Sequence, residues 1–133
     1  MEIEYEIQTD NSGLKTLYSK QFIKKGDTIW NINKSKSIII PPNVLKPYIN
    51  SLSHHTLLKC LKYSYFDNDG YFIDITLDER RFLNHSSNNN IEFRDNNSYA
   101  IRDILEGEEL LDNYNFYGNG PQWYTSLLKS NNI

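Results

Sequence analysis

Apolar positions recur with a period of two along most of this chain. Residues 2–7 alternate charged and apolar side chains, residues 10–13 supply turn chemistry, and residues 15–22 can extend again. Residues 24–27 make a second turn before an apolar stretch at 28–32, and a short run at 37–40 is stopped by Pro41 and Pro42. The rhythm changes between residues 44 and 63, where Leu52, Leu57, Leu58 and Leu61 recur at spacings that suit one or two helices. Strand chemistry returns at 71–75, 98–102 and 109–111, while 88–90 and 95–97 are loop-forming clusters. A short closing helix is predicted from Pro121 to Lys129, since proline favours a first helical turn. The pattern predicts a mainly β chain with a helical insert at about 43–63 and a closing segment at about 115–133.

Composition narrows the class. With 133 residues and 38% hydrophobic content, residues 1–133 are expected to form one domain with a modest core. The single Cys60 excludes an internal disulfide and a cysteine zinc cluster, so an intracellular chain is expected. No apolar run approaches about 18 residues and no leader pattern follows Met1, so neither membrane nor secretion is expected. A net charge of −3 speaks against nucleic acid as the direct partner and suits a basic peptide. His54 and His55 are adjacent and His85 is distant, which is not a metal-ligand spacing. Cys60 sits in an apolar helical stretch and reads as core, with Lys59 and Lys62 on the solvated face. The abundance of asparagine and lysine reads as a compositional bias.

Two ordered segments carry the chemistry, RRFLNHSSNNN at residues 80–90 and AIRDILEGEELLDNYNFYG at residues 100–118. Together they resemble the SET-domain lysine methyltransferases. Arg81, Phe82, Asn84, His85, Ser86 and Asn90 match the family's R-F-I/L-N-H-S-C-x-P-N signature. Ala100, Arg102, Asp103, Ile104, Gly107, Glu108, Glu109, Leu110 and Tyr114 match A-x-R-D-I-x-x-G-E-E-L-x-x-x-Y. More weakly, Leu17, Tyr18, Ser19, Ile23, Gly26 and Ile29 fall in register with the family's opening, and residues 63–74 with its mid-domain pattern. The resemblance implies the SET β-clip fold, made of small curved sheets in which the C-terminal segment threads under the N-H-S loop as a pseudoknot. Such threading is an exception to a general rule of topology.

The resemblance also implies methyl transfer from S-adenosyl-L-methionine to the amine of a protein lysine, with a histone tail as leading substrate. In-line displacement of this kind depends mostly on positioning. The lysine must arrive neutral, against a solution pKa of about 10.4, so a dry channel is needed. Tyr114 matches the tyrosine at the bottom of that channel. Tyr65 matches a second, wall tyrosine, although in a chain with ten tyrosines it reads equally as core or surface. Asn84 and the backbone of His85 would bind the cofactor, and the His85 ring is expected to be buried and to hold the loop. Arg81 and Phe82 are expected to support that loop, and Asp103 and Glu109 to accept structural hydrogen bonds. Trp123 and Phe116 fall where the family places an aromatic over the adenine or at the channel rim, with core packing as the other reading.

The chain departs from the family pattern in places. Leu14, Lys15 and Thr16 stand where the family has G-x-G, with Gly13 one position early, so side chains occupy ground where backbone approaches the cofactor. Lys15 there could pair with the cofactor carboxylate. Ser87, Asn88 and Asn89 replace C-x-P, the stretch 74–84 is about two residues shorter than usual, and Asp112 replaces a frequent tyrosine. These departures keep open a rival from another class, a catalytically silent SET fold that binds a peptide or protein. The chain is short after Trp123, so both a monomer and a homodimer whose second subunit completes the site fit the sequence.

Overall fold

The seven stretches of expected strand chemistry, with three further strands at Ser64–Phe66, Asn84–His85 and Ile91–Arg94, make ten short strands in a computed structural model that describes residues 1–118 and 120–133, with Phe116 described by its backbone alone. The chain divides into two units, one of Met1–Ser35 with Phe82–Tyr114 and one of Lys36–Arg81 with Asn115–Ile133.

In the first unit, β1 (Tyr5–Thr9) and β2 (Lys15–Ser19) form an antiparallel ribbon. Its turn needs Gly13, which sits at φ +90°, a conformation costly for any residue with a Cβ. The Asp10 carboxylate organises that turn by accepting the N–H groups of Ser12 at 2.9 Å and Leu14 at 3.0 Å. β1 starts later than the alternation predicts and is largely exposed, because among the described residues it pairs with β2 alone. β3 (Thr28–Asn31) pairs with β9 (Asn97–Ala100), and β9 with β8 (Ile91–Arg94). Asp95 and Asn96 join β8 to β9 with φ of +50° and +67°, the two-residue left-handed hairpin that Asp and Asn tolerate. Leu17, Ile23, Ile29, Leu83, Ile91, Ala100, Ile104 and Leu110 form the core of this unit. Burying each large aliphatic side chain of that set is worth about 1.5–3 kcal/mol.

The same unit contains the pairing that brings the two signatures together. β7 (Asn84–His85) runs parallel to β10 (Leu111–Asp112), with Asn84 opposite Leu111 and His85 opposite Asp112. β2 docks alongside, since Ser19 N–H reaches Glu108 O at 2.9 Å and Leu110 N–H reaches Leu17 O at 2.8 Å. The turn into this segment uses Gly107 at φ +91°, whose N–H bonds to Ser19 O at 2.7 Å. A shift of one residue there would misplace everything after Glu108.

The second unit holds a β4 (Ile38–Ile40), β6 (Phe72–Asp74), β5 (Ser64–Phe66) sheet and the helices. The predicted helical stretch is two helices, α1 (Leu45–Asn50) and α2 (His54–Lys62), the latter capped by the Ser53 side chain. α3 (Gln122–Ser130) begins directly after Pro121. Phe66, Phe72 and Tyr124 pack edge to face at 4.9–5.5 Å, and Cys60, Leu45, Ile49 and Leu61 complete their core. No described helix is long and apolar enough to cross a membrane.

Candidate functional site

Asn84, His85 and Tyr114 converge in the first unit because β7 and β10 run side by side. Asn84 donates its side-chain N–H to Glu109 Oε1 at 2.9 Å, and Asp103 accepts the N–H of Lys25 at 2.8 Å. Both acidic side chains thus serve as hydrogen-bond acceptors. The strand pair is locked by Asn90, whose amide N–H reaches Glu109 O at 2.8 Å and whose Oδ1 accepts the N–H of Leu111 at 2.8 Å.

Tyr114 is fixed at three points. Its backbone N–H donates to His85 Nδ1 at 3.0 Å, its phenol donates to Leu83 O, and its ring lies 5.2 Å from the His85 ring at 40°. The residue is 52% exposed. His85 is hydrogen-bonded as expected, but it is exposed rather than buried, because it sits at the end of a two-residue strand with its ring turned to Tyr114. The expected hydrogen bonding is present and the expected burial is not.

The segment in place of G-x-G leads straight into β2, which starts at Lys15. Gly13 lies in the exposed turn, where an added Cβ would meet nothing within 4 Å, and Leu14 projects into solvent. Thr16 pairs with Gln8 in the ribbon. Lys15 sets its Nζ 5.5 Å above the Phe82 ring, two residues before Asn84. Among the described residues the Lys15 ammonium makes no hydrogen bond or ion pair, and Asn84 Oδ1 accepts none.

Tyr65 and Trp123 lie in the second unit. The Tyr65 hydroxyl accepts from Arg80 Nη1 and the Tyr117 hydroxyl from Arg80 Nη2, with the two rings 4.6 Å apart and the guanidinium 4.8 Å and 5.5 Å from them. Trp123 packs on the unit's core with Lys46 5.6 Å above it. The Phe116 side chain, expected at the channel rim, lies outside the described residues. Arg81 supports the turn below the signature by donating to Asp78 O at 2.7 Å. Sequence reasoning missed Arg80 and the Leu83 carbonyl. Arg80 lies between Glu79 and Arg81 in a charged stretch that reads as solvated surface, and nothing in a sequence marks a backbone oxygen.

Residues 15–115 match the family model described as SET domain. The chain belongs to the SET-domain family. Its small strand-rich sheets are those of the SET fold, and the β7–β10 pairing accounts for the joining of its two signatures. A Plasmodium falciparum protein described as a histone methyltransferase is 21% identical, with a TM-score of 0.57 over 92% of this chain and 99% of that one. DIM-5, the Neurospora SET domain histone lysine methyltransferase, is 16% identical, with a TM-score of 0.62 over 85% of this chain and 52% of that one. A ctPRC2 chain is 18% identical, with a TM-score of 0.60 over 84% of this SET chain and 14% of its own length. No curated protein sequence matches this SET domain.

Proposed function

We propose that this SET domain transfers a methyl group from S-adenosyl-L-methionine to the side-chain amine of a lysine in a basic peptide, a histone tail being the leading candidate. The observation that carries the reading is the three-point fixation of Tyr114 by the Leu83–His85 segment. A rigid phenol at that position can orient an incoming amine and face its oxygen to the methyl group as charge moves. When bound, the cofactor supplies an electrophilic methyl on a sulfonium. Its methionine end is a zwitterion, and the chain offers matching chemistry in the unpaired Lys15 ammonium and the unpaired Asn84 oxygen on adjoining segments. Lys15 would take the carboxylate and Asn84 the ammonium, with the His85 backbone left for the adenine edge. A net charge of −3 suits a lysine-rich substrate, and the similar solved proteins are described as acting on histones.

Calorimetric titration with S-adenosyl-L-methionine tests the reading first. Micromolar binding, about −8 kcal/mol, followed by methylation of lysine peptides seen by mass spectrometry, is the expected result. Absence of heat together with absence of any cofactor-dependent rise in melting temperature would instead support the silent peptide-binding reading, which the strand entered at Lys15 in place of G-x-G favours.

A further inference from the structure

We propose that the His85 imidazole is a positioning residue for Tyr114 that works only while Nδ1 carries no proton, so that protonating this ring switches methyl transfer off. The inference rests on Tyr114 being the catalytic tyrosine of the function proposed above. Tyr114 N–H points at His85 Nδ1 at 3.0 Å, so Nδ1 is the acceptor and the neutral ring must carry its proton on Nε2. Protonation places an N–H against an N–H. The bond then breaks and repulsion replaces it, in the residue whose phenol must hold its aim to within a fraction of an ångström. The ring contact at 5.2 Å ties the two side chains as well, so displacing one displaces the other. His85 is exposed, which leaves its ring open to solvent protons.

Among the described residues, charged and titratable groups lie on the elements beside it. Asp112 lies opposite His85 in β10 and accepts the Asn113 N–H at 2.8 Å. Glu109 is engaged by Asn84, Tyr114 contributes its phenol, and β8, packed on β10, carries Glu92 and Arg94. A histidine that takes part in no bond-making step can thus impose its own protonation on the rate.

Two measurements test this. Nitrogen-15 NMR of the imidazole in the cofactor-free protein should show the Nε2–H tautomer, with the Tyr114 amide resonance moving as His85 titrates. In methyl transfer to a lysine peptide, His85→Asn keeps an acceptor oxygen near the place of Nδ1 and cannot ionise. The ratio of wild-type to His85→Asn kcat cancels ionisation of the substrate lysine. It should fall by about tenfold or more as acid protonates the ring. His85→Leu should lose kcat at every pH. An Nδ1–H tautomer, a stationary Tyr114 amide or a flat kcat ratio would overturn the proposal. Wild-type protein that binds cofactor yet methylates nothing would sink the proposed function instead, and the NMR experiment alone would then decide the His85–Tyr114 coupling. It would also decide if His85→Asn failed to fold.

Discussion

Asn90 bonds Leu111 through its side chain, accepting the strand's N–H on Oδ1 at 2.8 Å while donating to the preceding Glu109 carbonyl. The carboxamide is 1% exposed, so water cannot replace either bond. Asn90→Leu would orphan a backbone donor and a backbone acceptor in the interior, at a cost of about 2–4 kcal/mol. Asn90→Asp keeps the first partner but sets a carboxylate against the Glu109 carbonyl, and should be no better. Urea unfolding midpoints check this, and a change below about 0.5 kcal/mol in the leucine variant would show that the clamp is dispensable.

Tyr114→Phe removes the bond to the Leu83 carbonyl and leaves the backbone bond to His85 in place. Because the residue is half exposed, stability should change by less than about 1 kcal/mol. Turnover should fall on the order of 100-fold or more, with cofactor affinity unchanged. Initial rates and calorimetry separate the two effects, and normal turnover would remove Tyr114 from its assigned role.

Asn84, His85 and Tyr114 stand out in the sequence because each lies in a contiguous signature whose residue types are distinctive. Their meeting could not be read from local pattern. It depends on β7 and β10, two-residue strands too short to show any periodicity, and the family resemblance supplied what the pattern lacked. Asn90 sits in an asparagine-rich stretch that reads as loop and compositional bias, yet it and Asn89 are buried, and Asn89 bonds to Ile91 O at 2.8 Å. His85 was assigned the right hydrogen-bonding character and the wrong exposure. Burial is set by neighbours distant in the chain, which a local pattern does not contain.

Arg80 is 3% exposed and spreads its guanidinium over the Tyr65 and Tyr117 hydroxyls and rings. A planar fork can meet both oxygens at once, whereas an ammonium cannot reproduce that geometry. Arg80→Met should cost about 2–3 kcal/mol by leaving both hydroxyls without this donor, and Arg80→Lys should recover only part. Thermal unfolding of the two variants measures the difference. Full recovery with lysine would mean that charge alone, not the fork, is required.

Lys15 stands over the Phe82 ring with an ammonium that makes no hydrogen bond or ion pair among the described residues. If it takes the cofactor carboxylate, Lys15→Met should weaken S-adenosyl-L-methionine binding about three- to tenfold, since methionine keeps the apolar stem and loses the charge. Methylthioadenosine, which lacks the carboxylate, should bind both proteins equally. Equal loss for the two ligands would point to a disturbed strand, and no loss for either would take Lys15 out of the cofactor site.

Cys60 couples stability to alkaline pH. Burial first, and the neighbouring Asp74 second, push its thiol up from an ordinary 9.0 to about 12. Burial likewise raises the Tyr48 and Tyr124 phenols above their usual 10.0, with Cys60 and Asp74 adding to it. A group whose pKa is raised by folding contributes its full stability below the unfolded value and loses it as pH climbs toward the folded one. Unfolding midpoints should therefore hold steady up to about pH 9 and decline above it, first through the thiol and then through the two phenols. Cys60→Ala should lower the plateau through a lost core contact and make the decline between about pH 9 and 10 shallower. An unchanged slope in that variant would assign the alkaline loss to the tyrosines alone. Thiol reagents provide the independent check: Cys60 is 2% exposed and should stay unlabelled in the native protein and react once urea unfolds it.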